Sequence, residues 1–193
     1  VLDRSGSMHS DINNLIDNVK ETVKETDAND LISIVWFSSP GQYRTLVKGA
    51  KSSEGLLNLL DSLRSVLGTT CFSDPIKEIE LIVDELYALC PNISVTFFSD
   101  GQPVIPSGMW SLEEENRRIF DSLNRLKDKI VAVNTIGYGY NYNQNLLRDM
   151  ASTTEYGVFA HSADIDNYKT IFLKNYEILN GTVSDPVQVS AKD

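Results

Sequence analysis

Three short apolar runs, separated by longer segments of helical periodicity, constrain the fold of this chain more than any other feature. The runs cover residues 31–37, 93–98 and 130–136. They are nearly unbroken and rich in β-branched side chains, which is typical of strands buried on both faces. Strands that alternate with helices form right-handed βαβ units. We therefore predict an α/β fold, a doubly wound and mostly parallel sheet of about six strands with helices on both faces.

The remaining elements follow from the same periodicities. Segment 43–50 is shorter and more polar, which suits an edge strand with Arg44 and Lys48 directed outward. A further short strand is predicted at 157–160. Apolar stripes at helical spacing predict helices over about 9–26, 53–67, 75–89, 112–129, 143–152 and 165–179.

The length and composition indicate one ordinary globular domain. Of 193 residues, 41% are hydrophobic and 23% are charged, which is close to the globular average. We expect the domain to cover residues 1–180, with a first strand truncated at its amino end, and residues 181–193 to lead to something further. The net charge of −10 argues against nucleic acid and anionic membrane surfaces as partners. No apolar run approaches the ~20 residues that a membrane span requires.

The two cysteines are predicted to be free thiols. Cys71 and Cys90 lie at opposite ends of a predicted helix of about fifteen residues, which would hold them ~20 Å apart. A disulfide tolerates less than ~7 Å between Cα atoms. Free thiols favour a reducing compartment, so we expect a cytoplasmic location. N-x-Ser/Thr triplets at Asn92 and Asn180 favour the alternative, a secreted or cell-surface protein.

Polar residues follow two of the predicted buried strands. Asp3, Ser5 and Ser7 follow the first strand at alternate positions, and Asp100 follows the strand 93–98. Ligands of open α/β sheets bind at the carboxyl ends of the strands, where strand order reverses. Carboxylates and hydroxyls suit Mg²⁺ or Mn²⁺ rather than zinc or copper. Aspartate, serine and glycine are also ordinary turn and cap residues, so a turn without a ligand is the alternative.

Taken together, these residues resemble the metal-ion-dependent adhesion site of the von Willebrand factor type A domain. That site uses a D-x-S-x-S segment, a threonine in a loop and a second aspartate. The likeness covers about residues 1–180 and includes a Gly-Thr-Thr loop before a helix and the segment 136–139. By position, it implies metal ligation by five residues: Asp3, Ser5, Ser7, Thr70 and Asp100. Thr69 is the alternative to Thr70.

The resemblance implies a binding module rather than an enzyme. The expected cation is Mg²⁺, with Mn²⁺ or Ca²⁺ as alternatives, and it would keep an open position for a Glu or Asp carboxylate of a partner protein. A Mg²⁺-dependent phosphoryl-transfer enzyme is a second hypothesis, because Asp3 at a strand end also suits a phosphate acceptor. Against it, neither a P-loop nor a G-x-S-x-G motif is present. A scaffold that binds metal only for stability is the third.

A few other residues invite functional interpretation. Tyr138, Tyr140 and Tyr142 lie between a strand and a helix and are candidate partner contacts. His9 follows the serine motif but is expected in solvent, since imidazole does not suit a hard-oxygen site. The run 113–115 of three glutamates lies in the first turn of a helix, where the helix dipole favours negative charge.

Overall fold

The computed structural model describes residues 1–140 and 142–161. Its strands are β1 (Leu2–Asp3), β2 (Ile32–Phe37), β3 (Tyr43–Ala50), β4 (Ser94–Ser99), β5 (Ala132–Gly137) and β6 (Phe159–His161). Its α-helices are α1 (Ile12–Glu25), α2 (Glu54–Asp61), α3 (Ser73–Leu86), α4 (Leu112–Leu126) and α5 (Gln144–Ala151). The predicted helix 165–179 and the segment 181–193 lie outside the described residues.

The six strands form one sheet in the order β3-β2-β1-β4-β5-β6. Every neighbouring pair is parallel except β2 with β3, so the predicted mostly parallel α/β sheet is confirmed. The predicted edge strand is β3, and Arg44 and Lys48 on it are exposed. Strand order reverses between β1 and β4, which are paired through Leu2 and Phe98. The crevice at this reversal is where ligands of such sheets bind.

Helices cover both faces of the sheet because neighbouring strand residues point to opposite sides. On β2 and β4, Ile34 and Phe98 contribute to one core, and Val35 and Phe97 contribute to the other. The first core packs α1 and α2 against the sheet, and the second packs α3, α4 and α5. Three aromatic rings anchor the second core with centroid distances of 5.0 to 5.8 Å: Phe37, Phe72 and Phe97.

Two helices begin or end differently from the periodicity. A 3₁₀ turn, Gly6–Ser10, precedes α1. The apolar stripe predicts a helix to about residue 67, but α2 ends at Asp61. The reason is a set of long-range bonds. The Arg4 side chain donates to the carbonyl and hydroxyl of Ser65, and the Leu67 amide donates to the Arg4 carbonyl. These bonds draw the chain out of the helix and toward the end of β1.

Among the described residues, no helix combines the length and the apolar character needed to cross a membrane.

Candidate metal centre

Asp3 is buried at the carboxyl end of β1, at the reversal of strand order. Its side chain has 0% relative exposure. Oδ1 accepts a hydrogen bond of 2.7 Å from the Ser5 amide, and Oδ2 accepts one of 2.5 Å from the Ser99 hydroxyl. Ser99 is the last residue of β4, the neighbouring strand. Asp3 is therefore oriented by its own turn and by the adjacent strand end.

The two serines of the motif link Asp3 to Asp100. Ser5 is buried and Ser7 is exposed, and their hydroxyl oxygens are 3.1 Å apart. The Ser7 hydroxyl donates to Asp100 Oδ1 at 2.8 Å. Asp100 is half-buried just beyond β4. Four of the five predicted ligands therefore form one continuous polar cluster, although the two acids are far apart in sequence.

The two candidate threonines point in different directions. They lie in residues 68–72, which we name the Thr70 loop. Thr69 bonds to Ser39, with its amide 2.8 Å and its hydroxyl 3.2 Å from Ser39 Oγ. Thr70 is buried, and its Oγ1 would lie 3.3 Å from a Cβ built on Gly101. Since Gly101 follows Asp100 directly, Thr70 is the threonine whose hydroxyl faces the acidic cluster.

Gly101 completes a small cradle at the strand ends. The same built Cβ would lie 3.8 Å from Ser7 Oγ, so a side chain at position 101 would enter the space between the Ser7 and Thr70 hydroxyls. The Gly101 amide donates to Ser99 Oγ at 3.1 Å, which holds the backbone in place. The five predicted ligands thus lie at the edge of the sheet that the carboxyl ends of β1 and β4 form; they are Asp3, Ser5, Ser7, Thr70 and Asp100. We name them the five-oxygen set.

The acids of this set lie in an environment that disfavours their charge. Burial is the main cause that raises the pKa of Asp3 from 3.8 to about 7, and its hydrogen bonds offset part of that effect. Burial also raises the pKa of Asp100, and the hydrogen bond from Ser7 opposes the shift. Among the described residues, no lysine or arginine forms an ion pair with either acid. The neighbouring Arg4 instead lies over the Trp36 ring, at 4.7 Å.

The donor set fits a hard divalent cation. No group of three or more His, Cys, Asp or Glu side chains among the described residues is arranged to hold a metal. A cation at the cradle would therefore draw most of its protein ligands from neutral hydroxyls. Two carboxylates and three hydroxyls are oxygen donors of the kind that Mg²⁺ prefers. That these residues bind metal stays a prediction.

Two polar residues that shape this edge were not predicted as site residues from the sequence. Ser99 orients Asp3, and a polar residue at the end of a buried strand was its only signal. Glu115 was assigned to the helix dipole with its neighbours, but it is fully buried and binds the start of α3. Its signal was its position on the apolar stripe of α4, which continues through Ile119 and Leu123.

Of the three candidate tyrosines, only one is exposed. Tyr140 has 97% relative exposure. Tyr138 is buried and its hydroxyl accepts a hydrogen bond from Asn18. Tyr142 is half-buried and contacts His161, the last residue of β6, so this strand extends one residue beyond the predicted segment 157–160. His9 is exposed, as predicted. Both cysteines are free, also as predicted.

A cavity of about 480 Å³ lies away from this edge. Its lining includes the amino halves of β2 and β4 and the chain around Cys90. It therefore opens toward the amino ends of the parallel strands. The five-oxygen set contributes nothing to its lining.

The fold and the polar edge together define an open α/β domain with a cluster of polar side chains at its reversal of strand order. The sequence model of the von Willebrand factor type A domain matches residues 1–103. The chain belongs to the von Willebrand factor type A family. Domains of this family commonly mediate protein–protein interactions, are generally not enzymes and often bind a divalent metal. A comparison with curated proteins finds no significant match.

Solved structures share the fold at low sequence identity. A PilB minor pilin from Streptococcus sanguinis is similar with a TM-score of 0.68 and 13% identity, over 95% of this chain and 61% of that one. A von Willebrand factor type A protein from Catenulispora acidiphila gives 0.66 and 12%, over 94% and 41%. Proximal thread matrix protein 1 from the mussel byssus gives 0.65 and 18%, over 92% and 44%. The chain thus spans less than two thirds of each of these proteins.

Proposed function

We propose that this domain binds a partner protein through a divalent cation held by the five-oxygen set. The observation that carries the proposal is the burial of Asp3 at the reversal of strand order, beside Asp100 and three hydroxyl groups. Within residues 1–140 and 142–161, neither acid is paired with a lysine or an arginine. A buried carboxylate without a counter-charge is costly, and a cation would offset that cost. Asp3, Ser5, Ser7, Thr70 and Asp100 would hold the ion.

The chain's own residues would leave the ion short of negative charge. Three of the five oxygens are neutral hydroxyls, and Asp3 is already engaged by Ser5 and Ser99. A divalent cation bound there supplies a positive charge to which a Glu or Asp of the partner can bind. Ser7 and Asp100 lie on the accessible side, since Ser7 is exposed and Asp100 is half-buried. The net charge of −10 opposes distant attraction of an acidic partner, so specificity would come from nearby side chains such as Tyr140.

The test compares matched peptides on the whole chain. Arrays carry pairs of peptides that differ only by Glu or Gln at one central position, with varied flanking residues. Binding of the labelled domain is measured in Mg²⁺ and in EDTA. We expect binding that requires both Mg²⁺ and the Glu member of the pair, and that is lost in Asp100→Asn. Asp11→Asn is the matched control, because Asp11 lies close enough to raise the pKa of Asp100 but bonds to Ser10.

Two results would contradict the proposal. Peptide binding that persists in EDTA, or that is equally strong for the Glu and Gln peptides, would exclude a metal-bridged contact. Hydrolysis of p-nitrophenyl phosphate that requires both Mg²⁺ and Asp3 would favour the phosphoryl-transfer enzyme instead. If Mg²⁺ raises the thermal stability of the domain but no peptide of the array binds it, the result would favour the scaffold.

A further inference from the structure

We propose that Glu115 is a positioning residue of the metal centre, which holds the Thr70 loop so that the Thr70 hydroxyl faces the Ser7–Asp100 pair. The inference rests on the proposed function, because it concerns the same cation site. It assigns a role to a buried acid that lies outside the five-oxygen set, on helix α4.

Glu115 binds the start of α3 across the second core. It has 0% relative exposure. Oε1 accepts hydrogen bonds from the Phe72 amide at 2.8 Å and the Ser73 amide at 2.9 Å. Oε2 accepts from the Ser73 hydroxyl at 2.7 Å and from the Trp110 indole N–H at 2.8 Å. The carboxylate therefore satisfies amides that a helix N-terminus otherwise leaves without partners, and it lies at the positive end of the α3 dipole.

The sequence at the start of α3 does not supply a side chain that caps the helix. The residue before the helix is Phe72, whose side chain cannot cap, and no side-chain cap bond forms there. A glutamate from α4 takes the place of the missing local cap. Because Phe72 is two residues from Thr70, the bond to its amide fixes the end of the Thr70 loop.

Two further contacts hold the loop from the side of the β4–α4 connection. The Val104 amide donates to the Thr70 carbonyl at 2.7 Å. The Trp110 ring, which binds Glu115, lies 4.1 Å from the guanidinium carbon of Arg118. The Thr70 loop is thus joined to the β4–α4 connection at two places. One is the bond from Val104 to Thr70, and the other is Glu115, which binds both Phe72 and Trp110.

A glutamine at position 115 could not replace these contacts. These four donors and the Cys71 thiol, 3.7 Å from Oε1, all point at the carboxylate, and three of the donors are N–H groups that cannot reverse direction. The glutamine oxygen could accept from the two amides of α3, but its NH₂ group would then face the indole N–H of Trp110. Glu115→Gln would therefore leave the fold's apolar packing intact while breaking the bond to Trp110, through which Glu115 joins the Thr70 loop to the β4–α4 connection.

The test measures Mg²⁺ and Ca²⁺ affinities of the wild-type chain and of Glu115→Gln by calorimetry. Mg²⁺ demands near-ideal octahedral geometry, whereas Ca²⁺ tolerates varied ligand positions. We expect Glu115→Gln to weaken Mg²⁺ binding roughly tenfold or more, as loss of outer-shell partners does, and to weaken Ca²⁺ binding much less. Thr154→Val is the control for stability. Thr154 is buried and its hydroxyl accepts from the Val133 amide at 2.8 Å, near the amino end of β5.

The outcomes separate this inference from the proposed function. A wild-type chain that binds neither cation overturns the proposed function. The role of Glu115 alone is overturned if the wild-type chain binds Mg²⁺ and Glu115→Gln leaves its affinity unchanged. It is also overturned if Glu115→Gln weakens the affinities for both cations equally, as Thr154→Val does. If Glu115→Gln does not fold, Trp110→Phe replaces it, since that variant removes one donor and keeps the carboxylate. A selective loss of Mg²⁺ affinity in Trp110→Phe supports the role, and unchanged affinity overturns it.

Discussion

The Ser7 hydroxyl donates a hydrogen bond of 2.8 Å to Asp100 Oδ1, across 93 residues of sequence. It connects the turn after β1 with the end of β4, the two strands at the reversal of strand order. The bond matters for function because it places a hydroxyl from one segment and a carboxylate from the other against the same cradle.

Asp3→Asn is expected to stabilise the metal-free domain and to abolish its response to Mg²⁺. Burial raises the pKa of Asp3 to about 7, so above that pH the native state carries a costly buried charge. An asparagine can still accept from the Ser5 amide without that charge. We expect the free energy of unfolding at about pH 8 to rise by roughly 2–4 kcal/mol. Urea titrations with Mg²⁺ and with EDTA measure it, and a destabilised variant would contradict the expectation.

Mg²⁺ affinity is expected to rise with pH and then level off. Burial raises the pKa of Asp3 in the folded chain from 3.8 to about 7, so the metal-free native state binds its proton more tightly than the unfolded chain does. The stability that this proton contributes is complete below about pH 4 and is lost as the pH rises to about 7. Mg²⁺ must displace the proton, so affinity should rise by up to about tenfold per pH unit below about pH 7.

Calorimetry at about pH 6 and about pH 8, in buffers of different ionisation enthalpy, checks both the affinity and the proton released. Affinity that is constant across this range would show that no carboxyl of the site loses a proton on binding.

Thr70→Val and Thr69→Val are expected to separate metal binding from loop stability. Valine keeps the shape of threonine and removes the hydroxyl. Thr70→Val should weaken Mg²⁺ binding by roughly tenfold or more, because it removes one of the five proposed ligand oxygens. Thr69→Val should leave Mg²⁺ affinity unchanged and cost about 1 kcal/mol of stability, since it loses the hydroxyl's bond to Ser39 and keeps the bond from the amide. The reverse pattern would make Thr69 the ligand.

Gly68→Ala is expected to weaken Mg²⁺ binding at the proposed site, although Gly68 is not one of its ligands. Gly68 has φ of +66°, and a Cβ there would lie 2.2 Å from Ser39 Oγ, the atom that holds Thr69. Left-handed backbone alone costs a non-glycine residue about 1–2 kcal/mol. Gly41→Ala is the matched control, with φ of +75° and open space around the added carbon. Both should lose stability, but only Gly68→Ala should also lose Mg²⁺ affinity.

Much of the fold followed from local patterns in the sequence. The run 31–37 predicted β2, and the polar segment 43–50 predicted β3 as an edge strand with its bounds intact. Both depend on hydrophobic periodicity, which is a property of the chain itself. The length of α2 did not follow, because its end depends on bonds from Arg4, which is distant in sequence. Glu115 lies in the first turn of α4 as predicted, but its burial and its contacts did not follow from the sequence, because its donors lie on other elements or in loops.

The sequence by itself determined the α/β class, the resemblance to the family, and the residue types that could ligate a hard cation, because these depend on composition, spacing and period. Only the tertiary structure decided that Asp3 loses all contact with solvent, that Thr70 rather than Thr69 lies beside Gly101, and that of the three candidate tyrosines Tyr140 alone is exposed. Each of these depends on which distant segments pack together. Burial and hydrogen-bond direction arise from that packing, and no local pattern encodes them.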